Sequence, residues 1–135
     1  MIQYLQNETQ SKGVSIMTIE EFRKLCKEHD AMDYAMVIAN SRRQTGYPLT
    51  VAGLRVNSDY EEVRARFDLS DKEEHWTTDC ATVGEFIKWA GSFKTYELVL
   101  EDYSFKYKCP RSRTFVGDTD IKFIPEDEMI ILFFI

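Results

Sequence analysis

Residues 129–135 read Met-Ile-Ile-Leu-Phe-Phe-Ile, and this uninterrupted apolar run constrains the fold more than any other stretch of the chain. Seven residues are too few for a membrane-spanning helix, which needs about 20. A strand that is apolar on both faces promotes aggregation at the edge of a sheet, whereas a central strand can bury both faces. The run therefore predicts a central β-strand, and no membrane segment is expected.

Capping boxes predict where the helices begin, because a threonine or serine followed three residues later by a glutamate satisfies free N–H groups at a helix start. After the first of these pairs, apolar residues recur at 22, 25, 26 and 29, which is one face of a helix. We expect helices from about 18 to 29 and from about 82 to 90. The three capping-box pairs are Thr18 with Glu21, Thr82 with Glu85, and Ser70 with Glu73.

Alternating or continuous apolar patterns predict the strands, which are expected at 33–40, 49–56, 60–67, 96–101, 103–108, 121–124 and 129–135. Helices and strands do not alternate regularly, and this order is typical of the α+β class. We expect a mainly antiparallel sheet of about five to seven strands with two helices packed on it. No internal repeat and no linker is evident in the sequence.

The composition is that of one globular domain, with 135 residues of which 44% are hydrophobic. A net charge of −6 argues against a general nucleic-acid coat or a binder of anionic membranes. Residues 1–16 are polar and lack a period, so we interpret them as a disordered arm or an extension outside the natural product, and 17–135 as the domain. Three cysteines in no framework pattern indicate reduced thiols and a cytoplasmic protein.

Metal-binding and catalytic motifs are weak. Cys26 and His29 have half of the spacing of a zinc site, but Cys80, Cys109 and His75 supply no second short pair, so we predict no metal and no cofactor. A small enzyme or ligand-binding site near His75, Asp79 and Cys80 is an alternative function. No glycine-rich elbow surrounds the cysteine and no phosphate-binding loop is present, so no catalytic residue is predicted.

The segment 104–113 contains four lysine or arginine residues and no acidic residue, and aromatic residues alternate with them. This combination is typical of surfaces that hold single-stranded nucleic acid. The alternation favours another arrangement, in which Tyr103, Phe105 and Tyr107 face the core of a strand that ends at Pro110. The lysines would then face water on an edge strand. Nucleic-acid contact is therefore an alternative, and its residues would be Lys106, Lys108, Arg111 and Arg113.

Acidic residues dominate the segment 117–128, where five acids accompany one lysine. Together with the acids at 71–74 they predict a negative surface that steers the docking of a basic protein. We therefore expect a non-catalytic protein-binding module, such as an accessory protein of a phage or mobile element that inhibits a nucleic-acid-processing or defence complex by occluding a basic surface. A homodimer through the C-terminal strand is a second partner hypothesis. The predicted partner-binding residues are Asp71, Glu73, Glu74, Trp76, Tyr47, Asp118, Asp120, Glu126 and Asp127.

Overall fold

The computed structural model describes residues 16–40, 45–70 and 80–134. Within these ranges two helices, α1 (Ile19–Glu28) and α2 (Val83–Ala90), accompany eight strands. The α+β class is thus confirmed. The strands are β1 (Ala35–Asn40), β2 (Thr45–Pro48), β3 (Leu54–Asn57), β4 (Glu62–Phe67), β5 (Glu97–Ser104), β6 (Cys109–Phe115), β7 (Ile121–Ile124) and β8 (Met129–Phe134).

The strands form two mixed sheets of four, in the orders β2-β1-β8-β7 and β3-β4-β5-β6. In each sheet the two central strands are parallel and each outer strand is antiparallel to its neighbour. The expectation of a mainly antiparallel sheet with five to seven strands was therefore only roughly right. Helix α2 provides the crossover that a parallel β4–β5 pair requires. The β1–β8 pair joins distant parts of the chain, which local patterns do not reveal.

Both predicted helix starts are confirmed as capping boxes. The Thr18 hydroxyl accepts a hydrogen bond from the Glu21 N–H at 3.2 Å, and the Glu21 carboxylate accepts one from the Thr18 N–H at 2.9 Å. Thr82 and Glu85 make the same two bonds at 3.1 and 2.8 Å. The third pattern includes Glu73, which lies outside the described residues.

The fold contains an internal repeat that we did not expect from the sequence. The elements β3-β4-α2-β5-β6 form one unit, which we call the central unit. The elements β7-β8 and α1-β1-β2, from the two ends of the described chain, form an equivalent second unit, which we call the terminal unit. Their strand registers match, since Leu54 pairs with Ala65 in one hairpin and Ile121 pairs with Leu132 in the other. The parallel pairs also correspond, with Glu62 opposite Glu97 in one sheet and Met129 opposite Ala35 in the other.

Backbone hydrogen bonds between the units repeat in the same way. The Met17 N–H donates to the carbonyl of Val116 at 3.0 Å, and the Met17 carbonyl accepts from Leu98 at 3.0 Å. Each unit thus supplies the residue before its helix to extend the sheet of the other. The equivalent bonds in the other sheet join Ala81 to Leu49 at 2.7 Å and to Met36 at 2.9 Å.

One hydrophobic core fills the space between the inner sheet faces and the two helices. The run that begins at Met129 is a central strand, as predicted, and Ile130 and Leu132 are fully buried on its inner face. Phe22 of α1 and Phe86 of α2 occupy equivalent positions, four residues after each N-cap, and both are fully buried. Their rings meet edge to face, with centroids 5.5 Å apart, so the two units contact each other through equivalent side chains.

Replacing either ring should show that Phe22 and Phe86 act as a pair. We expect Phe22→Leu and Phe86→Leu each to lower the free energy of unfolding by about 1–2 kcal/mol. The double variant should lose less than the sum of the two, by about 0.5–1.5 kcal/mol, because the edge-to-face contact is lost only once. Urea denaturation of the four proteins measures this coupling. Phe22→Leu combined with Phe115→Leu, on an outer sheet face, should be additive, and additivity of the helix pair would contradict the contact.

Candidate functional site

The outer faces of the two sheets differ sharply although their backbones correspond. On the central strand of one sheet the outward residues are apolar, and at the equivalent positions of the other sheet they are charged. An outer face contributes little to the shared core, so it can carry a unit's own chemistry. The outward residues are Met129, Ile131 and Phe133 on β8, and Glu62, Arg64 and Arg66 on β4.

The outer face of the β2-β1-β8-β7 sheet is an apolar surface, which we call the apolar face. Its residues lie outside the core cluster, and most are half-buried. Lys122 of β7 is the one charged residue among its strand positions in the described ranges. The apolar face consists of Ala35, Val37, Ala39, Gly46, Pro48, Ile124, Met129, Ile131 and Phe133.

Acidic turns flank the apolar face at both ends of β7. Before β7, Asp118 is exposed, and the Asp120 carboxylate accepts a hydrogen bond from the Gly117 N–H at 2.9 Å. After β7, Glu126 and Asp127 are exposed on a short turn. Four of the predicted partner-binding acids therefore lie beside one apolar surface.

The outer face of the β3-β4-β5-β6 sheet carries a network of buried carboxylates and arginines, which we call the arginine–aromatic face. Glu62 and Glu101 are each only 2% exposed. Arg64 contacts Glu62 at 2.8 Å and Glu101 at 3.5 Å, and Arg66 donates to Glu101 at 2.7 Å. Arg113 lies 3.5 Å from Glu62. Each buried carboxylate thus has two cationic neighbours, which offset the cost of its burial.

Aromatic rings pack against these guanidinium groups. The Tyr60 ring lies 5.7 Å from the Arg64 guanidinium and 5.5 Å from that of Arg113. The Tyr103 ring lies 4.0 Å from the guanidinium of Arg66. Tyr60 is 63% exposed, so one side of this cation–π arrangement faces solvent.

Arg111 joins the same face to the end of β4. It donates to both oxygens of Asp102 at 2.8 and 3.1 Å, and it also contacts Asp68. Burial disfavours the charged form of Asp68, but hydrogen bonds from Ser70 and Arg111 outweigh this and lower the pKa of Asp68 to about 2. Hydrogen bonds to Asp102 and Asp68 raise the pKa of Arg111.

The segment 103–108 differs from the predicted strand. Strand β5 ends at Ser104 and residues 105–108 form a turn into β6, so Phe105 and Tyr107 are 53% and 71% exposed instead of buried. Pro110 does not end a strand but lies near the start of β6, an edge strand that tolerates its missing N–H. Lys106, Lys108, Arg111 and Arg113 are exposed beside these rings.

Two open depressions mark this side of the molecule. One, with a volume of about 290 Å³, is lined by Tyr60, Arg64, Arg111 and Arg113 among others, with Glu101 behind them. The other, of about 170 Å³, lies at the far end of β4, where Arg66 and Phe105 line it. Each depression therefore combines an exposed aromatic ring with at least one arginine.

Two further predicted residues, Tyr47 and Cys80, are buried or half-buried. Tyr47 lies on β2 in the core, where its hydroxyl donates to the Leu69 carbonyl at 3.1 Å, because β2 turns this ring onto Phe67. Cys80 is half-buried just before α2. The remaining predicted residues lie outside the described ranges; they are Asp71, Glu73, Glu74, His75, Trp76 and Asp79.

Cys26 and His29 of α1, which have half of the spacing of a zinc site, lie in different surroundings. Cys26 is buried, and burial raises the pKa of its thiol to about 12, so it remains protonated at neutral pH. The His29 ring stacks on Phe123 with centroids 3.8 Å apart. Among the described residues, no three His, Cys, Asp or Glu side chains are grouped to hold a metal ion.

No helix in the ranges 16–40, 45–70 and 80–134 is long and apolar enough to span a membrane.

Comparisons with protein-family models, with curated proteins and with solved structures found no match.

The ion pair at Asp68 should make stability depend on pH. Its pKa is lower in the folded chain than its ordinary value near 3.8, so the stabilisation is complete above pH 4 and is lost as pH falls towards 2. We expect Asp68→Asn to lower the free energy of unfolding at pH 7 by on the order of 1 kcal/mol. It should also flatten the loss of stability between about pH 4 and 2, measured by urea denaturation.

The control for this experiment is Asp59→Asn, which removes an exposed acid from the turn between β3 and β4. It should change neither the free energy of unfolding at pH 7 nor the loss of stability at low pH. An acid-induced loss of stability that persists in Asp68→Asn would contradict the assignment of the ion pair.

Proposed function

We propose that this chain is a non-catalytic protein-binding module that docks through the apolar face and its acidic turns. The partner is a protein with an apolar patch bordered by lysine and arginine. The observation that supports this proposal is the position of the acidic turns, which lie directly before and after β7, the strand that pairs with β8.

The apolar face provides the central part of such an interface. Specific interfaces combine a desolvated apolar centre with a polar rim. Ile131 and Phe133 point outward from the central strand β8, and neither belongs to the core of the chain itself. Val37 lies opposite Ile131 on the same side of the sheet but is itself only 3% exposed, so it offers a partner little area. A partner that covers these side chains gains the free energy of removing apolar area from water.

The acidic turns provide the rim. Asp118 and Asp120 lie at one end, Glu126 and Asp127 at the other, and Lys122 is the one base of the segment 117–128. Charges at a rim accelerate association and orient the partner more than they add affinity. Occlusion of a basic surface on a nucleic-acid-processing or defence complex is one form of this function, and it stays a prediction.

A homodimer through the C-terminal strand would need the same surface. Strand β8 pairs with β1 on one side and with β7 on the other, so its backbone hydrogen bonds are already used. A second copy would have to contact outward side chains such as Phe133. The acidic turns favour a basic partner over a second copy of an acidic chain.

Two synthetic amphipathic peptides with the same leucine face test the proposal, one with lysine and the other with glutamate on its polar face. Fluorescence anisotropy should show binding of the lysine peptide that weakens with salt, and no comparable binding of the glutamate peptide. We expect Phe133→Gln to weaken binding about ten-fold, as for a central interface residue. The equivalent position on β4 is the polar residue Arg66, so a polar side chain is compatible with this strand geometry.

Two variants complete the design. Val51→Gln replaces an exposed apolar residue outside the apolar face, and it should leave binding unchanged. Asp118→Asn combined with Glu126→Gln should reduce the dependence of binding on salt. Equal affinity for both peptides, or full affinity in Phe133→Gln, would contradict the proposal. If sedimentation shows that the chain is a dimer and that Phe133→Gln is a monomer, the partner of the apolar face is a second copy of the chain and not a basic protein.

A further inference from the structure

We infer that the arginine–aromatic face binds single-stranded nucleic acid, with bases on its exposed rings and phosphates on its basic side chains. This site lies on the sheet of the central unit, and Pro48 of the apolar face borders it at the end of β4. Sequence patterns indicated only part of this site, since Tyr60 and Arg64 lie beside Arg111 and Arg113 only in the folded chain.

Rings and guanidinium groups follow one another along the face. At one end, Tyr60 contacts Arg64 and Arg113. Further along β4, Arg66 packs on Tyr103, whose ring lies 5.3 Å from that of Phe105. Bases of every type have a π face, so such a series of rings and planar cations accepts successive bases without a fixed sequence.

Exposure of the rings distinguishes this face from an ordinary sheet surface. Five large hydrophobic or aromatic residues are exposed in the described chain, and Tyr60, Phe105 and Tyr107 are three of them. Exposed rings at both ends of the face leave room for an incoming base to stack. None of the three rings belongs to the hydrophobic core.

The carboxylates behind the arginines hold them in position. Glu101 accepts from Arg66 and contacts Arg64, while Asp102 accepts two bonds from Arg111. A guanidinium group has five N–H donors, so these bonds leave donors for a phosphate oxygen. Because the arginines are already ordered, binding costs less side-chain entropy than it would with free arginines.

The charge of this face differs from that of the whole chain. Seven basic and five acidic side chains lie on this face or in the adjoining turn, which gives a local net charge of +2 in a chain whose total is −6. The basic residues are Arg55, Arg64, Arg66, Lys106, Lys108, Arg111 and Arg113, and the acidic residues are Glu62, Asp68, Glu97, Glu101 and Asp102.

Acids limit the site at the start of β4. Glu97 lies opposite Glu62 there, and burial together with the charges of Glu62 and Glu61 raises the pKa of Glu97. Because Glu61, Glu62 and Glu97 lie at this end, we expect the bound strand to extend from Tyr60 away from them, towards the lysines of the turn at 105–108.

A single strand fits this geometry better than a duplex or an acidic protein. In a duplex the bases are stacked on one another and do not present their faces to aromatic side chains. An acidic peptide would pair with the arginine and lysine side chains of the face but would leave Phe105 and Tyr107 without a ring to stack on. Both exposed rings and exposed cations are explained only when the ligand carries both phosphates and flat bases.

Fluorescence anisotropy of labelled oligo-deoxythymidine of about 12 nucleotides provides the test, at about 50 and 200 mM salt. We expect binding at low salt that falls steeply at higher salt. Phe105→Ala combined with Tyr107→Ala should weaken binding about ten-fold or more through lost stacking, with little effect on folding because both rings are exposed. Lys106→Gln combined with Lys108→Gln should lower the slope of log affinity against log salt by about 1.4, since each phosphate contact on a single strand contributes about 0.7.

The matched control is Lys24→Gln combined with Lys27→Gln on α1, where both lysines are exposed and the change in net charge is the same. It should bind as the unmodified chain does. Absence of binding at low salt, an equal loss in this control, or equal affinity for a duplex or for polyglutamate would each overturn the inference. Phe133→Gln should not affect this binding, so failure here leaves the apolar face a separate question.

Discussion

Strand β8 pairs with β1 along six residues, from Met129 opposite Ala35 to Phe134 opposite Asn40. Every other arrangement in the terminal unit depends on this parallel pairing, because β7 is attached only through β8 and β2 only through β1. Apolar side chains on both faces of β8 require a central position. The inward side chains of β8 complete the core. Its outward side chains are apolar as well, and they form the centre of the apolar face.

The two units use one backbone plan for two purposes. Most inward residues are apolar in both units, each helix begins with a capping box, and Phe22 and Phe86 occupy equivalent positions. Outward residues differ, with Ile131 in one unit where the other has Arg64. Burial in the shared core restricts a side chain far more than exposure on an outer face does. The chemistry of each outer face is therefore set independently of the scaffold that presents it.

Local patterns predicted the features that have local causes. The capping boxes located both helices, and the apolar run at 129–135 located a central strand. The parallel pairs were missed because pairing between distant segments leaves no local signal. The repeat was missed because the terminal unit is built from both ends of the described chain, so its elements do not follow one another in the order of the central unit. The motif Thr-x-x-Glu-Phe-x-Lys, which occurs at both 18–24 and 82–88, was a signal for it. The β5–β6 turn was missed because Tyr103, Phe105 and Tyr107 keep a strand-like alternation across it, while the register shifts after Asp102. The buried pairing of Glu62 and Glu101 with arginines also depends on that long-range assembly.

The chain leaves the ribosome from its N-terminus, and the parallel β1–β8 pair has a kinetic consequence for a growing polypeptide. The central unit, from Leu54 to Phe115, is continuous and can assemble its sheet as soon as it emerges. Met36 and Ile38 of β1 emerge early but lack their neighbouring strand until Met129–Phe134 has been synthesised. Until β8 has been synthesised, Met36 and Ile38 therefore cannot reach the buried positions that they have in the folded chain.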